Sequence, residues 1–328
     1  MDSLRAGVIG LGIGKAHVRG YRKAEGIQLV AVADVRKELL QNFTDSKTRG
    51  YTSAEDMIDR ENLDIVSICT PPSSHADLTL RAFDAGVNVL CEKPMAPTLE
   101  HCESMIRRSK KADLKLMIGF KKRFVPSYNA LRDSISGVFC TPYMIDYNYV
   151  CTGGVRKPWF WDEKDAGGPI VENTVHAIDI LHYLIGDVER VYGEGDSFLA
   201  SSEGLQQIDS AVFTLRFRGG TIATVCAGAW ARGSLKNERF LCYSQRGMAQ
   251  ISGAFDKPTD LDIYTYADRK TSHEEFPDAD PIGMEVDHFA ECVRTGMKPR
   301  ATGEDGRSAL KVCLAVKESA RSGLPITL

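Results

Sequence analysis

The sequence lacks the patterns that mark several classes of protein. Its nine cysteines contain no C-x-x-C pair, which argues against a disulfide framework or a zinc knuckle. With 41 basic and 44 acidic residues, the formal charge of −3 provides no positive field for nucleic acid or an anionic membrane. No apolar run approaches the roughly 18 residues of a membrane-spanning helix, and residues 1–5 lead into an apolar strand without the pattern of a signal peptide. We therefore expect a cytoplasmic protein with reduced cysteines that binds neither nucleic acid nor membrane.

Two regions of the chain differ in their secondary-structure pattern. At roughly 150 residues per domain, a chain of 328 residues is expected to form two domains. In the first third, short apolar strands expected at 4–10, 27–33, 64–69, 87–91 and 115–119 alternate with helices, which predicts an α/β domain with a parallel sheet. After about residue 125, longer strands are expected at 143–150, 209–217, 221–227, 239–243 and 261–266, with one clear helix, at 173–185, between them. This pattern predicts an α+β domain with a large open, mainly antiparallel sheet.

We place the domain boundary between residues 121 and 122, giving domains 1–121 and 122–328. Two further helices are predicted near 283–296 and 304–321, and packing of the C-terminal helix back on the first domain is left open. An open sheet with one uncovered face usually needs a partner, so we expect a homodimer or homotetramer formed through that sheet.

A glycine-rich run, GLGIG, links the first strand to the first helix. Glycine lets the backbone approach a pyrophosphate, and the amides of a helix N-terminus face the anion. The third glycine is one position earlier than in G-x-G-x-x-G, so an ordinary turn is the alternative. Asp34, 24 residues after Gly10, ends the second strand where a carboxylate binds the ribose of NAD, while Arg36 and Lys37 leave NADP open. We predict a Rossmann domain that binds NAD through Gly10, Gly12, Ile13, Gly14 and Asp34.

The run Glu92-Lys93-Pro94 follows an apolar strand at 87–91. Ligands of open parallel sheets bind beyond the carboxyl ends of the strands, so Lys93 is expected to face the ligand. The peptide bond before Pro94 is a candidate for the cis form. The alternative is a solvated Glu-Lys pair on a surface loop.

Glu172, His176 and Asp179 are spaced to project from neighbouring parts of one helix face. The glycines before them allow a ligand to approach the helix start closely. A carboxylate beside an imidazole suits proton transfer to or from an alcohol. From these residues alone, a helix-stabilising pair or a buried histidine is the alternative, and we expect no metal site.

Four runs in this order resemble those of the glucose-fructose oxidoreductase, inositol dehydrogenase and rhizopine-catabolism (Gfo/Idh/MocA) family. They are GLGIG over 10–14, TPPSSH over 70–75, EKP over 92–94 and GFKKRF over 119–124. The strand-rich remainder is similar to the second domain of that family, so the resemblance covers essentially the whole chain. It implies a nicotinamide cofactor, a sugar, inositol or related polyol substrate, and His176 as the catalytic acid or base. Glu172 stands where many members have Asp, which leaves its role open.

The resulting hypothesis is an NAD(P)-dependent oxidoreductase acting on a secondary alcohol. Lys93 would stabilise the reacting oxygen, His176 would move the hydroxyl proton, and Glu172 would hold His176 or a substrate hydroxyl. An NAD-dependent, redox-neutral glycosidase and a cofactor-sensing regulator without turnover are the alternatives. The remaining predicted site residues are Thr70, Pro71, His75, Glu92 and Lys93 for the cofactor, and Arg123, Asn173 and Trp161 for the substrate.

Other polar residues near these runs receive weaker expectations. His17 and His75 follow the cofactor-loop runs and are expected to be structural. The basic cluster of residues 121–123 is either a solvated charge run or places at least one cation near the cofactor or a substrate hydroxyl.

Overall fold

The computed structural model describes residues 3–150, 157–198, 207–228 and 238–328. The chain forms two compact units, the first comprising residues 1–121 with 280–307 and the second residues 122–279 with 308–328. The chain first changes unit after Lys121, where the sequence analysis places its boundary. The assignment of residues 280–307 to the second domain is corrected, because their contacts are with the first unit.

The described elements follow the alternation expected from the sequence. The strands are β1 (Leu4–Ile9), β2 (Ile27–Ala33), β3 (Arg49–Tyr51), β4 (Ile65–Ile68), β5 (Asn88–Cys91), β6 (Leu116–Ile118), β7 (Met144–Val150), β8 (Val188–Asp196), β9 (Ser210–Phe217), β10 (Ile222–Gly228), β11 (Glu238–Tyr243), β12 (Gly247–Ala254), β13 (Lys257–Thr265), β14 (Lys270–Glu275) and β15 (Ile326–Thr327). The α-helices are α1 (Gly14–Lys23), α2 (Lys37–Leu40), α3 (Ala54–Arg60), α4 (His75–Asp84), α5 (Leu99–Ala112), α6 (Pro126–Ser134), α7 (Pro158–Trp161), α8 (Glu163–Ala166), α9 (Pro169–Ile185), α10 (Pro281–Thr295) and α11 (Gly303–Ser322). Short helical turns cover Pro72–Ser74, Lys121–Phe124 and Ile135–Phe139.

The first unit contains a parallel sheet in the order β3-β2-β1-β4-β5-β6. Its central strands are buried along almost their whole length, as expected for a sheet covered by helices on both faces. The strand order reverses between β1 and β4, and in folds of this kind ligands bind beyond the carboxyl ends of the strands at that point. The glycine-rich run and the loop after β4 both lie there.

Residues 280–307 join this unit through two sets of contacts. Helix α10 packs closely on α1, where a Cβ atom added to Gly20 would lie 3.3 Å from Val286. The backbone N–H of Ile118, in β6, donates to the carbonyl of Ala301 at 3.0 Å. These contacts link segments more than 150 residues apart in sequence, which no local pattern indicates.

The second unit contains a larger sheet in the order β14-β13-β12-β11-β7-β10-β9-β8-β15. Its strand pairs are antiparallel except for β7 with β10. Strict alternation of buried and exposed residues along β9 shows that the sheet buries one face, with α9 packed on β9 and β10. The expected combination of a Rossmann unit and an α+β unit with an open sheet is therefore confirmed.

None of the described helices is long and apolar enough to cross a membrane. The cysteines of the described residues are free thiols, and most of them are buried. Cys151 lies outside the described residues.

Candidate active site

Two glycines shape the turn between β1 and α1. Gly10 has a φ angle of +86°, and a Cβ atom there would lie 2.6 Å from the carbonyl oxygen of Cys69. A Cβ atom on Gly14 would lie 2.9 Å from a methyl group of Val8. Gly14 therefore allows the close helix-strand packing that the third fingerprint glycine provides, although it comes one position early. Ile13, at the start of α1, has no side chain able to cap the helix amides and is 42% exposed.

Asp34 connects the end of β2 to this turn. One carboxylate oxygen accepts the N–H of Leu11 at 2.8 Å, and the other accepts the backbone N–H and Nε of Arg36 at 2.9 and 3.0 Å. Burial raises the pKa of Asp34, but the hydrogen bonds from Arg36 and Leu11 outweigh it, so the pKa lies below its ordinary value. An ionised carboxylate at this place fits the ribose hydroxyls of NAD. The Arg36 guanidinium, more than half exposed, lies against it.

The Glu92-Lys93-Pro94 loop follows β5, and the Lys93-Pro94 peptide bond is cis, as the sequence suggested. Glu92 is 7% exposed, Pro94 is buried and Lys93 is half-buried. Glu92 accepts the backbone N–H of Lys93 at 3.1 Å and has a ring nitrogen of His17 at 3.1 Å. The solvated Glu-Lys pair is therefore wrong for Glu92, whose buried carboxylate supports the loop that presents Lys93.

The loop after β4 is tied to the same region. Ser74 donates to the hydroxyl of Thr70 at 2.7 Å, and His75 places one ring nitrogen 2.8 Å from the carbonyl of Thr70. The other ring nitrogen of His75 lies 3.0 Å from the carbonyl of Pro94. Burial lowers the pKa of His75. The side chain of His75 thus has the structural role expected of it, while contacts of Thr70, Pro71 and His75 with the cofactor stay predictions.

In the second unit, α9 begins directly after two glycines with positive φ angles, Gly167 at +76° and Gly168 at +84°. The buried ammonium of Lys317 donates to the carbonyl of Gly167 at 2.6 Å and to Glu163 at 2.6 Å. This contact fixes the start of α9 against the C-terminal helix of the same unit.

The predicted catalytic and substrate residues of this unit lie near the start of α9. Glu172 and Asn173 are half-buried in its first turns, and His176, one turn further, is 4% exposed. The side-chain amide nitrogen of Asn173 is buried and makes no hydrogen bond with the described residues. The contact of Asn173 with a substrate stays a prediction. Trp161 is half-buried and packs edge-on against Phe160, so its contact with a substrate stays a prediction.

The basic cluster of residues 121–123 is not a solvated charge run. Lys122 is fully buried, with its ammonium 2.6 and 2.7 Å from the two carboxylate oxygens of Glu238. Arg123 is 4% exposed and donates to Asp179 through Nε and Nη2, the latter at 2.6 Å. Both cations take part in ion pairs inside the second unit. The assignment of Arg123 to the substrate stays a prediction.

No local pattern in the sequence indicates the hydrogen bonds that support the site residues. Asp34 accepts the amide of Leu11, and His17 reaches Glu92 from another element. The available signal was a histidine one turn into α1 on its buried face, but the residue that it meets is 75 positions away. Among the described residues, no group of three His, Cys, Asp or Glu side chains is arranged to hold a metal ion.

Comparison with known families agrees with the architecture of both units. Residues 4–120 match the family model described as "Oxidoreductase family, NAD-binding Rossmann fold", and residues 128–250 match the "GFO/IDH/MocA C-terminal domain". The chain belongs to the Gfo/Idh/MocA family. The resemblance drawn from the four runs is confirmed, and the protein is an oxidoreductase with an NAD-binding Rossmann unit.

Individual relatives match between two thirds and nearly all of the chain. Inositol 2-dehydrogenase 2 of Paenarthrobacter aurescens is 32% identical over 234 residues, 68% of each chain. Myo-inositol 2-dehydrogenase of Thermotoga maritima is 27% identical over 333 residues, 96% of each chain. The crystal structure of aldose-aldose oxidoreductase from Caulobacter crescentus, complexed with glycerol, superimposes with a TM-score of 0.87 at 26% identity, covering 99% of this chain and all of the other.

Proposed function

We propose that this protein transfers hydride between NAD and a secondary alcohol of a sugar, an inositol or a related polyol. The observation that carries the proposal is the loop after β5, where buried Glu92 and Pro94 flank a half-buried Lys93 in an NAD-binding unit. An ammonium at the carboxyl end of a central strand suits a negative charge that develops on a substrate oxygen. Relatives named as inositol dehydrogenases support the polyol class.

The first unit fits a dinucleotide through features of its own residues. The turn at Gly10 has no room for a side chain, and the amides at the start of α1 are suited to a pyrophosphate. The ionised Asp34 suits ribose hydroxyls, which favours NAD over NADP. These residues would hold the dinucleotide, whose nicotinamide would supply the acceptor or donor of hydride for the reacting carbon.

We assign the proton and the oxygen of the alcohol to different side chains. The Lys93 ammonium donates a hydrogen bond to the reacting oxygen and stabilises its negative charge as the carbon loses hydride. The imidazole of His176 takes the hydroxyl proton while the carbon loses its hydride, and the two losses together turn the alcohol into a carbonyl; the reverse reaction returns that proton. Glu172 orients His176 or a substrate hydroxyl, and Asn173 contributes the buried amide donor described above.

A panel of polyols and aldoses, assayed with NAD and with NADP, tests this proposal. The expected result is reduction of NAD by at least one inositol or sugar, followed as the nicotinamide absorbance of the reduced form. Release of a chromogenic aglycone without net NAD reduction would instead identify a redox-neutral glycosidase. NAD binding without turnover of any compound would identify a cofactor-sensing regulator.

We further propose a homodimer or homotetramer formed through the exposed face of the large sheet, and a cytoplasmic location. The free thiols of the described residues support a reducing compartment. The apolar side chains on the sheet face support an interface between copies of this chain.

A further inference from the structure

In the first unit, a row of hydrogen-bonded polar side chains leads through the protein interior to Glu92, the residue before Lys93. The two ring nitrogens of His17 lie 3.1 Å from a carboxylate oxygen of Glu92 and 3.1 Å from the hydroxyl of Ser67. That hydroxyl lies 2.8 Å from the hydroxyl of Tyr21. His17, Ser67 and Tyr21 are fully buried, and the row joins α1, β4 and the loop after β5.

Donors and acceptors in this row can be assigned in one consistent direction. Burial raises the pKa of Glu92, but the hydrogen bond to His17 and the charges of Lys93 and Lys121 hold it below its ordinary value, so the carboxylate only accepts. His17 must then donate through Nε2, which in the neutral ring leaves Nδ1 to accept the Ser67 hydroxyl proton. Because the single hydroxyl proton of Ser67 goes to His17, Tyr21 donates to Ser67, and burial raises the pKa of Tyr21, so it keeps its phenol proton. Each hydroxyl and ring nitrogen in the row then has a partner of the required kind.

The Glu92 carboxylate is held in one position from several sides. Its second oxygen accepts the backbone N–H of Lys93 at 3.1 Å. On the remaining side is Gly119, where an added Cβ atom would lie 3.1 Å from the Glu92 carboxyl carbon. Movement of this carboxylate therefore changes the hydrogen bond that fixes the backbone of Lys93.

We propose that His17 is a positioning residue for Lys93, acting through the Glu92 carboxylate. His17 fixes the carboxylate, the carboxylate fixes the Lys93 amide, and the ammonium of Lys93 is thereby aimed at the reacting oxygen. The inference rests on the proposed role of Lys93 in the reaction. It assigns to His17 more than the packing role expected from its position after the glycine turn.

Two amide substitutions separate the two hydrogen bonds of His17. The side-chain amide nitrogen in His17→Gln reaches about as far as Nε2 and can still donate to Glu92. The amide in His17→Asn is one methylene shorter, close to the position of Nδ1, so it reaches Ser67 and leaves Glu92 without its donor. Both variants place a neutral amide of the same chemistry in the same buried site, which makes each the control of the other.

Two measurements read the effect of these variants. Exchange of the Lys93 amide is measured on the full protein by hydrogen-exchange mass spectrometry, with electron-transfer fragmentation of a peptide covering residues 89–96 to resolve that single amide, and it requires no turnover. Steady-state kinetics on the best substrate of the polyol panel, with NADH affinity measured by fluorescence titration, reports the chemical step. Because hydrogen bonds to charged groups are worth roughly a factor of ten or more in an equilibrium constant, we expect His17→Asn to speed this exchange about tenfold.

The same variant is expected to lower kcat about tenfold with KM and NADH affinity nearly unchanged, while His17→Gln restores both wild-type values. Equal exchange and equal kcat in His17→Asn and the wild type would overturn the inference. So would an equal loss of stability and NADH affinity in both variants, since that is the result of packing alone. If no compound of the panel is turned over by the wild type, the proposed function fails, and the exchange measurement still decides whether His17 fixes the loop.

Discussion

At the scale of single residues, the charged side chains differ in what they are paired with. Lys122 and Arg123 are buried in ion pairs with Glu238 and Asp179, whereas Lys93 is half-buried on a loop supported by Glu92. All three cations come shortly after a strand in the sequence, so the local pattern predicts the same place near a ligand for each of them. Their roles differ because the partners of Lys122 and Arg123 lie 116 and 56 positions away. Only the folded chain brings these partners together.

The ion pair between Asp34 and Arg36 leads to a prediction about the choice between NAD and NADP. Arg36 donates two hydrogen bonds from its guanidinium to the Asp34 carboxylate and partly neutralises it. Because an uncovered carboxylate repels a 2′-phosphate, Arg36→Ala is expected to raise KM for NADP about tenfold with little change for NAD. Initial rates with both cofactors measure this, with Lys37→Ala as the control for loss of a neighbouring positive charge. A parallel change for NAD and NADP in Arg36→Ala would contradict this role.

At the scale of elements, the turn between β1 and α1 needs a residue that adopts a positive φ angle and has no Cβ atom. Gly10 and Gly86 both have positive φ angles, +86° and +79°. A Cβ atom at Gly10 would collide with the Cys69 carbonyl, whereas no atom lies within 4 Å of one at Gly86. The two positions therefore separate backbone strain from steric collision.

Substitution of each glycine by alanine tests this difference. Gly86→Ala is expected to lower the free energy of unfolding by about 1 kcal/mol, the cost of a left-handed residue, with NAD affinity unchanged. Gly10→Ala is expected to lower the free energy further and to weaken NAD binding at least about tenfold, because the turn must move. Urea unfolding and NADH titration measure both effects. Equal behaviour of the two variants would show that the collision at Gly10 is relieved without cost.

The elements also show how far the sequence alone predicts this protein. The alternation of strands and helices in the first third predicted β1, β2, β4, β5 and β6, because parallel strands of this kind are short apolar runs between helices. Strands β3, β8, β12, β14 and β15 were missed. β12 is rich in glycine and alanine, and β14 is polar throughout, so neither has the apolar alternation by which a strand is recognised.

A prediction about stability follows from the buried ion pair between Lys122, which lies shortly before α6, and Glu238 at the start of β11. Glu238 accepts from Lys122, Tyr128, Tyr147 and the amide of Asp256. Glu238→Ala leaves a buried ammonium without its main partner, so we expect the free energy of unfolding to fall by about 3–5 kcal/mol.

Denaturant unfolding of this variant is compared with Lys257→Ala, which removes an exposed ion pair with Asp278. Exposed pairs contribute less than about 1 kcal/mol, so Lys257→Ala should unfold close to the wild type. A change of similar size in the two variants would contradict the importance given to burial.

At the scale of the whole molecule, the exposed face of the large sheet is partly apolar. Val212 is 58% exposed and Ile222 is 44% exposed on neighbouring strands, with Tyr192 and Met144 nearby. Asp146, which is paired with Arg239, and Arg216 lie on the same face, so this face carries charges of both signs. A face of this composition suits a self-complementary interface.

Ile222→Glu tests the proposed assembly. A carboxylate that cannot remain hydrated in a closed interface destabilises it, so the variant is expected to elute as a monomer where the wild type is a dimer or tetramer. Light scattering after size-exclusion chromatography measures the mass. Met297→Glu, at a 48% exposed apolar residue of the first unit, is the control. A monomeric wild type, or an Ile222→Glu variant of unchanged mass, would contradict the assembly.

The central claim is that Lys93 and His176 carry out the chemistry of an alcohol dehydrogenation. The most direct measurement is the rate of NAD reduction by the wild type, Lys93→Ala and His176→Ala with the best polyol substrate, with NADH affinity measured in parallel. General acid-base catalysis typically contributes about 10²–10⁴-fold, so each variant is predicted to lose at least about a hundredfold in kcat while it still binds NADH. Wild-type rates in both variants would contradict the account.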